Sequence, residues 1–527
     1  MRLRSCVACF LGVLVTASAA GAAPSVSPAA KETQCTTNPA TPKRQMRAAW
    51  IASVVNIDWP SRKGLPAAEQ QAEYRKLLDD LKAKNFNAVI VQIRPTADAF
   101  WPSPYEPWSE WLTGEQGRDP GYDPLAFAIE EAHARNLEFH AWFNPYRVSM
   151  QNDPAKLVPS HPARQHPDWT FAYGPKLYYD PGHPAARTFV ENAIMHAVDH
   201  YDIDGVHFDD YFYPYPITGK AVPDDATYAQ YGAAYPNVHD WRRANINRLI
   251  EDMDAQIHFA KPWVKFGISP FGIWQNKSSD PRGSETGGFE SYSGIYADSF
   301  KWVKEGWVDY INPQIYWNIG LPVADYSKLV PWWAQVVGGT GVHLYVGQST
   351  YKIGTSGAWL DPEEMSRHLT FNRAYADVQG DVHFSAKDVL ADRLGAVSKV
   401  VQAHHSRPAL LPLKADLGGS APRMPIIVQA KRGTGGVELT VRPVDLGGSA
   451  ATTSVAIYRF DGIDLPGACG FADASHLLGT ARTKAGENAA AHFVDATAQP
   501  GTMYTYYATA LDRLQHEGPA SPPRIVR

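Results

Sequence analysis

Short apolar runs alternate with longer amphipathic stretches along most of the chain. The apolar runs are the length of strands and are bounded by polar or turn-forming residues, so they predict β-strands. They cover residues 47–55, 87–95, 138–147, 205–212, 264–271, 309–317, 343–350 and 380–385. The stretches between and after them have helical periodicity and predict helices at 68–84, 124–136, 185–201, 240–260, 297–306, 326–337, 362–377 and 386–402.

Eight strand and helix pairs in succession predict an α/β fold, a (β/α)8 TIM barrel over residues 45–405. An open doubly wound sheet is the alternative, but no glycine-rich phosphate loop follows the first strand. The connections after the third, fourth and fifth strands are long, at residues 148–184, 213–239 and 272–296. Because such loops build the active-site face of a barrel, this lengthening indicates a functional site there.

The pattern changes after the barrel. Residues 406–424 contain Gly-Gly-Ser-Ala-Pro and predict a linker. A two-residue period then predicts a small all-β sandwich over 425–527, with strands at 425–431, 437–444, 454–460, 492–494 and 504–512. Residues 501–508 resemble the late, tyrosine-bearing strand of fibronectin type III domains. We expect this domain to act as a spacer or as a surface for a protein partner.

The N-terminus has the order of a secretory signal peptide. Arg2 and Arg4 precede an apolar run and then small residues, which predicts a signal over 1–23 and a flexible leader over 24–44. No cysteine directly follows the apolar run to accept a lipid, and no later stretch predicts a membrane span. We therefore expect a periplasmic or secreted protein. Export permits a disulfide between Cys35 and Cys469, but the sequence leaves that pairing open.

Composition narrows the classes of protein further. The 527 residues are 44% hydrophobic and 20% charged, which excludes disorder for most of the chain. Lys and Arg number 49 against 54 for Asp and Glu, so a nucleic-acid partner is not expected. Neither a metal-ligand motif nor a Gly-x-Ser-x-Gly nucleophile elbow is present, and we predict no metal and no cofactor.

Strand alternation indicates which polar side chains face the barrel axis. Val206 and Phe208 take the helix-facing phase of the fourth strand, which turns Asp209 inward. The same reasoning on the other strands collects a polar ring near the carboxyl ends of the strands, formed by Arg94, Asn144, Asp209, Tyr316, Ser269 and Gln348. Barrel interiors are usually filled with branched apolar side chains, so this ring predicts a site.

Asp209 is the sharpest candidate for catalysis. A carboxyl group among aromatic and amide side chains loses hydration, which raises its pKa and suits it to donate a proton. The alternative is that Asp209 forms a salt bridge with Arg94 and only closes the barrel. Asp210 points away in an ideal strand, but a bulge at the strand end would bring it to the same mouth.

Aromatic residues are concentrated at the strand ends and in the loops that follow them. Flat rings in an open cleft stack on the apolar faces of sugars, so this distribution favours a carbohydrate ligand. Some of these rings serve instead as core or loop anchors. The substrate-binding residues that we predict are Arg94, Asn144, Tyr146, Tyr211, Gln314, Tyr316, Trp317, Trp101 and Trp274.

Several long motifs resemble the glycosyl-hydrolase-like 10 family of bacteria. They are Arg47-Ala-Ala-Trp-Ile-Ala, Val91-Gln-Ile-Arg-Pro-Thr-Ala-Asp-Ala-Phe, His140-Ala-Trp-Phe-Asn-Pro-Tyr-Arg, Asp204-Gly-Val-His-Phe-Asp-Asp-Tyr-Phe-Tyr-Pro and Asn312-Pro-Gln-Ile-Tyr-Trp. The family includes a divisome-associated peptidoglycan glycan hydrolase. The resemblance implies cleavage of peptidoglycan glycan strands. A weaker likeness to chitinases breaks down at Tyr211, where chitinases carry an acid, while Tyr316 falls where they steady the acetamido group.

Glycoside hydrolysis usually takes two carboxyl groups, and the sequence leaves the second one open. Either a loop acid such as Asp98, Glu106 or Glu285 closes over the substrate, or the 2-acetamido group of the substrate attacks while Asp209 or Asp210 assists. We predict an exported glycosidase acting on peptidoglycan glycan strands. The rivals are a glycosidase for another exported polysaccharide and a non-catalytic glycan-binding protein.

Overall fold

Eight parallel strands close into a barrel in the described part of the chain, which confirms the predicted fold class. Each strand pairs with the next in sequence and the last pairs with the first. In chain order β1 to β8 are Met46–Ile51, Ala88–Arg94, Glu138–Phe143, Gly205–Phe208, Lys265–Ile268, Tyr310–Ile311, His343–Gln348 and Val378–His383. All eight overlap the strands predicted from the sequence.

This computed structural model describes residue 35 and residues 37–445, 451–484, 487 and 489–527. The predicted signal peptide at 1–23 and residues 24–34 of the predicted leader lie outside the described residues. Cys35 and Cys469 are each disulfide-bonded. Of the helices in the described residues, none combines the length and apolar character that crossing a membrane requires.

The outer layer consists of helices that follow the strands. In chain order α1 to α9 are Ala67–Ala83, Pro124–Ala134, Pro184–His200, Val238–Ala260, Ser299–Glu305, Tyr326–Val337, Glu364–Asn372, Ala386–Ala391 and Ala396–His404. The last two replace one helix predicted at 386–402. The interruption falls at Asp392 and Leu394, whose φ angles of 43° and 58° are left-handed and break the helical hydrogen bonding.

The long loops contain short elements of their own. Arg147–Ser149, Thr170–Tyr173 and Lys176–Tyr179 form a small antiparallel sheet after β3. The short α-helices are Glu110–Thr113, Pro162–Gln165, Asp225–Tyr231, Ser291–Gly294 and, in the C-terminal domain, Ala468–Ala472. Single 3-10 turns lie at Val54–Asn56, Pro154–Lys156, Pro167–Trp169, Thr350–Lys352, Gly357–Leu360, Arg393–Gly395, Ala415–Leu417 and Ala474–His476.

All eight barrel strands end earlier than their sequence pattern predicts, and three of these ends shape the mouth. β3 stops at Phe143, β4 at Phe208 and β6 at Ile311, against predicted ends at 147, 212 and 317. Pro145 and Pro313 follow two of these ends, and proline cannot donate to a strand ladder. The polar residues that come next therefore lie in turns at the mouth of the barrel instead of in the strands.

The alternation predicted for β4 is correct. Val206 and Phe208 are fully buried in the apolar layer beneath the helices. His207 faces the axis, where its Nδ1 lies 3.0 Å from the Tyr310 hydroxyl, while His140 Nδ1 lies 2.8 Å from the same hydroxyl on the other side. Burial lowers the pKa of His207 well below its usual value, so this ring stays neutral.

Glycines make room for these rings inside the barrel. A Cβ atom at Gly267 in β5 would lie 2.1–2.3 Å from the Tyr310 ring, and one at Gly205 in β4 would lie 2.5 Å from the His140 ring. The axis is thus filled by a few large polar rings opposite residues without side chains. This packing differs from the usual layers of branched aliphatic residues.

The C-terminal domain consists of two antiparallel sheets around an apolar core, as predicted for a sandwich. Within residues 425–445, 451–484 and 489–527, strands β9 to β15 are Ile426–Gly433, Gly436–Arg442, Ser454–Asp461, Leu477–Arg482, Ala491–Asp495, Tyr504–Leu511 and Arg524–Val526. The sheets have the orders β9-β10-β13 and β12-β11-β14-β15. The sequence pattern missed β12 and β15, since β12 lacks alternation and β15 is very short.

This domain packs on the amino-terminal end of the barrel, opposite the mouth. Asn136, just before β3, donates to the Thr480 hydroxyl at 2.6 Å, and Arg513 lies 2.6 Å from Asp202, just before β4. The predicted linker at 406–424 joins this contact, because Leu410 is buried and the buried Lys414 lies 3.5 Å from Asp309. The sandwich therefore does not line the mouth.

We expect Gly267→Ala to destabilise the barrel by about 1–3 kcal/mol, because the added methyl group overlaps the Tyr310 ring and overpacked cores relax only partly. Urea unfolding followed by tryptophan fluorescence measures the loss. Gly287→Ala is the matched control: its Cβ meets nothing within 4 Å, and we expect a change within about 0.5 kcal/mol. Equal stability of the two variants would contradict this account of the axis.

Candidate active site

Asp209 lies at the mouth of the barrel, directly after β4. It is 3% exposed and accepts hydrogen bonds from Trp142 Nε1 at 3.1 Å, from Asn144 Nδ2 at 3.0 Å to each oxygen, and from the Tyr211 backbone N–H at 3.2 Å. Trp142 and Asn144 come from β3 and the turn that follows it. The neighbouring strand therefore holds the carboxyl group that the sequence turned inward.

Asp210 also reaches the mouth, on the opposite side of the same turn. It is 5% exposed, accepts from Gln314 Nε2 at 2.9 Å and accepts a hydrogen bond from the Tyr215 hydroxyl. Gln314 follows β6 and also donates to the Ser269 carbonyl at 3.0 Å. Because β4 ends at Phe208, strand alternation no longer applies at Asp210, and both adjacent carboxyl groups point into the site.

Burial dominates the electrostatics of this pair. It raises the pKa of Asp209 to about 6, against the opposing effect of Arg147, while the nearby Asp210 contributes to the rise. Burial also raises the pKa of Asp210, and the hydrogen bonds from Tyr215 and Gln314 oppose that rise. A pair of carboxyl groups with raised pKa values can hold a proton near neutral pH and release it to a bound substrate.

Arg147 is a residue of the site that sequence reasoning missed. Its backbone N–H donates to Asn144 Oδ1 at 2.9 Å, and its guanidinium donates to the Pro95 carbonyl at 2.7 Å. The guanidinium lies 5.0 Å above the Tyr211 ring. The signal was the Asn-Pro-Tyr-Arg sequence directly after β3, which was interpreted as a continuation of the strand.

Arg94 does not contact Asp209. It is fully buried, its Nε donates to Glu106 Oε2 at 2.7 Å, its Nη2 forms an ion pair with the other Glu106 oxygen, and its Nη1 donates to the Asn144 and Pro145 carbonyls. The alternative of an Asp209–Arg94 salt bridge is therefore wrong. The structure places Arg94 behind the site, where it positions the Asn144 turn and has no surface that a sugar can reach.

The aromatic residues divide into buried anchors and a half-exposed wall. Trp101 and Tyr146 are fully buried and Trp274 is 1% exposed, so these predicted substrate contacts are not open to a ligand at the mouth. Trp101 donates to His196 and Trp274 donates to Asp298, at 3.1 and 2.9 Å. The half-buried side chains near the Asp pair are Tyr211, Tyr215, Gln314, Tyr316 and Trp317.

The candidate loop acids bond elsewhere. Glu106 is paired with Arg94, and Glu285 is exposed between Lys277 and Lys328 at 3.2 Å from each. Asp98 is 1% exposed and accepts from the Thr96 hydroxyl at 2.8 Å, and burial raises its pKa to about 7. None of these three acids has a hydrogen bond or ion pair with Asp209 or Asp210.

No group of three or more His, Cys, Asp or Glu side chains comes together as a potential metal site in the residues that the structure describes. Gln348, predicted at the polar ring, instead donates to Asp381 and Tyr326 in a buried network beside β7. Ser269 lies closer to the site, with its hydroxyl 3.0 Å from His207 Nε2.

Fold and site together define a (β/α)8 barrel with a pair of buried carboxyl groups and an aromatic wall at its mouth. Residues 45–365 match the family model described as "Glycosyl hydrolase-like 10". The match covers more than half of the chain, and the chain belongs to this family.

Named relatives agree with this assignment. The chain is similar to "Glycosyl hydrolase YngK" of Bacillus subtilis (strain 168), with 50% identity over 484 residues, covering 91% of this chain and 92% of that protein. It is 39% identical over 363 residues to "Glycosyl hydrolase DigH" of Escherichia coli (strain K12), covering 64% of this chain and 82% of that protein. The first alignment is longer than the barrel, so the similarity extends into the C-terminal domain.

We expect Asp209→Asn to stabilise the protein at pH 8 and not at pH 4. Burial lifts the pKa of Asp209 from its usual 3.8 to about 6, so the unfolded chain releases this proton first and the free energy of unfolding falls as pH rises through that window. At about 1.4 kcal/mol per unit, removing the charge adds about 1–3 kcal/mol above pH 6. Thermal unfolding at the two pH values measures the effect.

The exposed Asp377 supplies the control, since Asp377→Asn removes a charge without changing a buried group. We expect it to leave stability unchanged at either pH. A loss of stability in Asp209→Asn of equal size at pH 4 and pH 8 would mean that the buried carboxylate carries no ionisation cost.

Proposed function

We propose that this protein hydrolyses glycosidic bonds in the glycan strands of peptidoglycan, with Asp209 and Asp210 as the catalytic pair. The observation that carries the proposal is the burial of both carboxyl groups side by side at the mouth, where burial raises both pKa values. Family membership and the names of the relatives support glycoside hydrolysis as the reaction class.

The two carboxyl groups have unequal surroundings, which supports different roles. Asp209 is surrounded by Trp142, Asn144 and the Tyr211 backbone, all of which donate to it and favour a fixed anion that accepts a hydrogen bond from the substrate. Asp210 lies beside the half-exposed Tyr215 and Gln314. We assign the proton donor to Asp210, which protonates the leaving glycosidic oxygen and later accepts a proton from water.

The nucleophile in this proposal comes from the substrate. Asp98, Glu106 and Glu285 bond elsewhere, so the described loops offer no second carboxylate that contacts the pair. The carbonyl oxygen of the 2-acetamido group attacks the anomeric carbon as the glycosidic bond breaks, and Asp209 accepts the hydrogen bond of the amide N–H. Water then opens the cyclic intermediate, and the anomeric configuration is retained.

The half-buried side chains at the mouth supply the sugar contacts. Tyr211, Gln314, Tyr316 and Trp317 offer ring faces and polar edges to the substrate, as sugar-binding clefts require. Arg94, Asn144 and Tyr146 support this surface from behind, where they are fully buried.

The proposal also covers the location of the protein, the role of its C-terminal domain and the identity of the polysaccharide. The signal-like order of residues 1–23 supports export to the periplasm or out of the cell. The sheet orders β9-β10-β13 and β12-β11-β14-β15 support a fibronectin type III-like domain, which lies far from the mouth and leaves its outer faces open for a protein partner. Peptidoglycan as the substrate is supported by the family resemblance in the barrel motifs, and its N-acetyl groups supply the acetamido nucleophile that this proposal requires.

We expect Asp209→Asn and Asp210→Asn each to lower hydrolysis of peptide-free glycan strands by roughly 10²- to 10⁴-fold, because each removes a carboxyl group that takes part in the reaction. Mass spectrometry of the products measures release and identifies the bond that is cut. Asp180→Asn is the matched control: Asp180 is a buried acid that accepts hydrogen bonds from Thr227 and Gly182 outside the site. We expect its replacement to keep activity.

Digests of chitin and of exported polysaccharides lacking N-acetyl groups run in parallel. Faster cleavage of either would replace peptidoglycan as the substrate. A parent protein that binds glycan strands as tightly as its two Asp variants, and releases no fragments, would be a glycan-binding protein.

The division of roles has its own test. On an aryl N-acetylhexosaminide, whose leaving group needs no proton, we expect Asp210→Asn to keep most of the parental bond-breaking rate, while Asp209→Asn loses it. The same aryl glycoside with a free 2-amino group should not be cleaved by the parent, because it lacks the attacking carbonyl. Equal losses in both variants on the aryl substrate would contradict the assignment of Asp210 as the acid.

A further inference from the structure

A second groove lies on the flank of the barrel, outside the mouth. It is formed by the loop after β5 together with α5 and α6, and its volume is about 750 Å³. That volume lies within the roughly 300–1,000 Å³ of sites that hold a small organic ligand. The groove is lined by rings of Phe300 and Trp332 and by several charged side chains.

The floor of this groove is a stack of aromatic rings. Trp274 is buried beneath it, with its ring stacked on Phe300 at 4.8 Å and on Trp332 at 6.2 Å between centroids. Phe300 and Trp332 are each half-buried, with one part of the ring open to the groove. The Trp332 indole N–H donates to the Arg282 carbonyl at 2.8 Å, which fixes the ring in place. The Arg282 guanidinium lies 5.3 Å and Lys304 Nζ lies 5.7 Å from the centroid of the Phe300 ring, so cations lie over that ring. The fixed Trp332 ring beside it offers a flat surface of the kind that suits a sugar.

The charge of the groove is positive. Among its described side chains, the cations Lys277, Arg282, Lys304 and Lys328 face one carboxylate, Glu285. Arg282 is also paired with Asp280, at 2.7 Å. The chain as a whole has a formal net charge of -5, so this local excess of cations runs against the overall balance. Such a groove attracts an anionic ligand.

The loop after β5 lies between the groove and the mouth and contributes residues to both. The Phe289 ring packs against the rings of Phe271 and Tyr215, with 5.2 and 5.5 Å between centroids. The Tyr215 hydroxyl donates a hydrogen bond to Asp210. The same loop carries Lys277, Arg282 and Glu285 on its other side. A polymer leaving the mouth past Tyr215 therefore crosses one loop before it meets the groove.

We propose that this groove is a second, non-catalytic binding site for a polysaccharide that carries carboxylates. The inference rests on the proposed function, and it adds the chemical feature of the substrate that is recognised away from the reaction. Peptide-free peptidoglycan carries a free lactyl carboxylate on every second sugar, so one strand offers a sugar face to Trp332 and carboxylates to Arg282 and Lys304, which lie over the Phe300 ring. A neutral polymer of N-acetylglucosamine offers sugar faces but no carboxylates.

Binding in an inactive background tests the site directly. In Asp210→Asn protein, titration calorimetry with soluble peptide-free glycan strands should show affinity falling roughly tenfold for Arg282→Glu/Lys304→Glu, since two favourable charge contacts become repulsive. The control, Lys76→Glu/Lys431→Glu, makes the same change of charge at exposed positions away from the groove and should keep the parental affinity. Equal affinities for the two pairs would overturn the proposal.

Two further measurements test which chemical groups of the ligand the groove recognises. Strands whose carboxylates are converted to neutral amides should bind as weakly to the parent as native strands bind to the groove variant, and raising the salt concentration should narrow the difference. Unchanged binding of the amidated strands would overturn recognition of carboxylates. Trp332→Ala tests the ring platform, and circular dichroism checks that its fold is intact.

Measurements of hydrolysis show whether a failed test contradicts the second binding site or the proposed function. In the active protein, the groove variant should cleave short fragments with the parental kcat and KM, while its KM for long strands rises. If Asp210→Asn has no effect on hydrolysis but the groove variant still loses affinity, the proposed function fails and the binding site stands. If hydrolysis depends on Asp210 but the groove variant matches its control in affinity and in KM for long strands, the binding site fails alone.

Discussion

Burying two adjacent carboxyl groups at the end of a four-residue strand is the constraint on which the mouth of this barrel depends. A buried carboxyl group without donors is costly, and Asp209 and Asp210 sit side by side with 3% and 5% exposure. β3, the turn after it and the turn after β6 meet this constraint, because Trp142 and Asn144 donate to one group and Gln314 to the other. The early ends of β3 and β6 before Pro145 and Pro313 make this possible, since Asn144 and Gln314 reach the pair from turns.

The support of these donors extends one layer further back. Arg94 binds the Asn144 and Pro145 carbonyls and is itself fixed by Glu106, while Arg147 spans from the Asn144 side chain to the Pro95 carbonyl. The turn that carries Asn144 is thus held by the Arg94 guanidinium and by the Arg147 backbone N–H, while the Arg147 guanidinium ties the end of the turn to Pro95. Such a mouth is organised before substrate arrives, so little reorganisation is needed when charge develops.

The sequence predicted the barrel, its strand order and the inward phase of Asp209, because alternation in Val206, His207, Phe208 and Asp209 is a local property. Alternation could not predict Asp210, since its orientation depends on where the strand stops. Nor could it pair Arg94 with Glu106 instead of Asp209, because that choice is made by the loop after β2, which brings Glu106 back to Arg94 behind the site. Counting aromatic residues near strand ends does not distinguish a ring in a cleft from one beneath it, as Trp101 and Trp274 demonstrate.

The groove cations Arg282 and Lys304 lie outside the mouth that holds Asp209 and Asp210. Cations next to Asp209 and Asp210 would lower both pKa values and weaken the pair as a proton store, and Arg147 already acts in that direction. A strand that carries carboxylates needs cations for its recognition, and these interfere least when they lie beyond the loop that carries Phe289. Contact at two separate places also raises the effective concentration of the strand at the mouth without strengthening the contacts to the reacting sugar. In the proposed function, proton donation and recognition of anions are thereby kept on opposite sides of one loop.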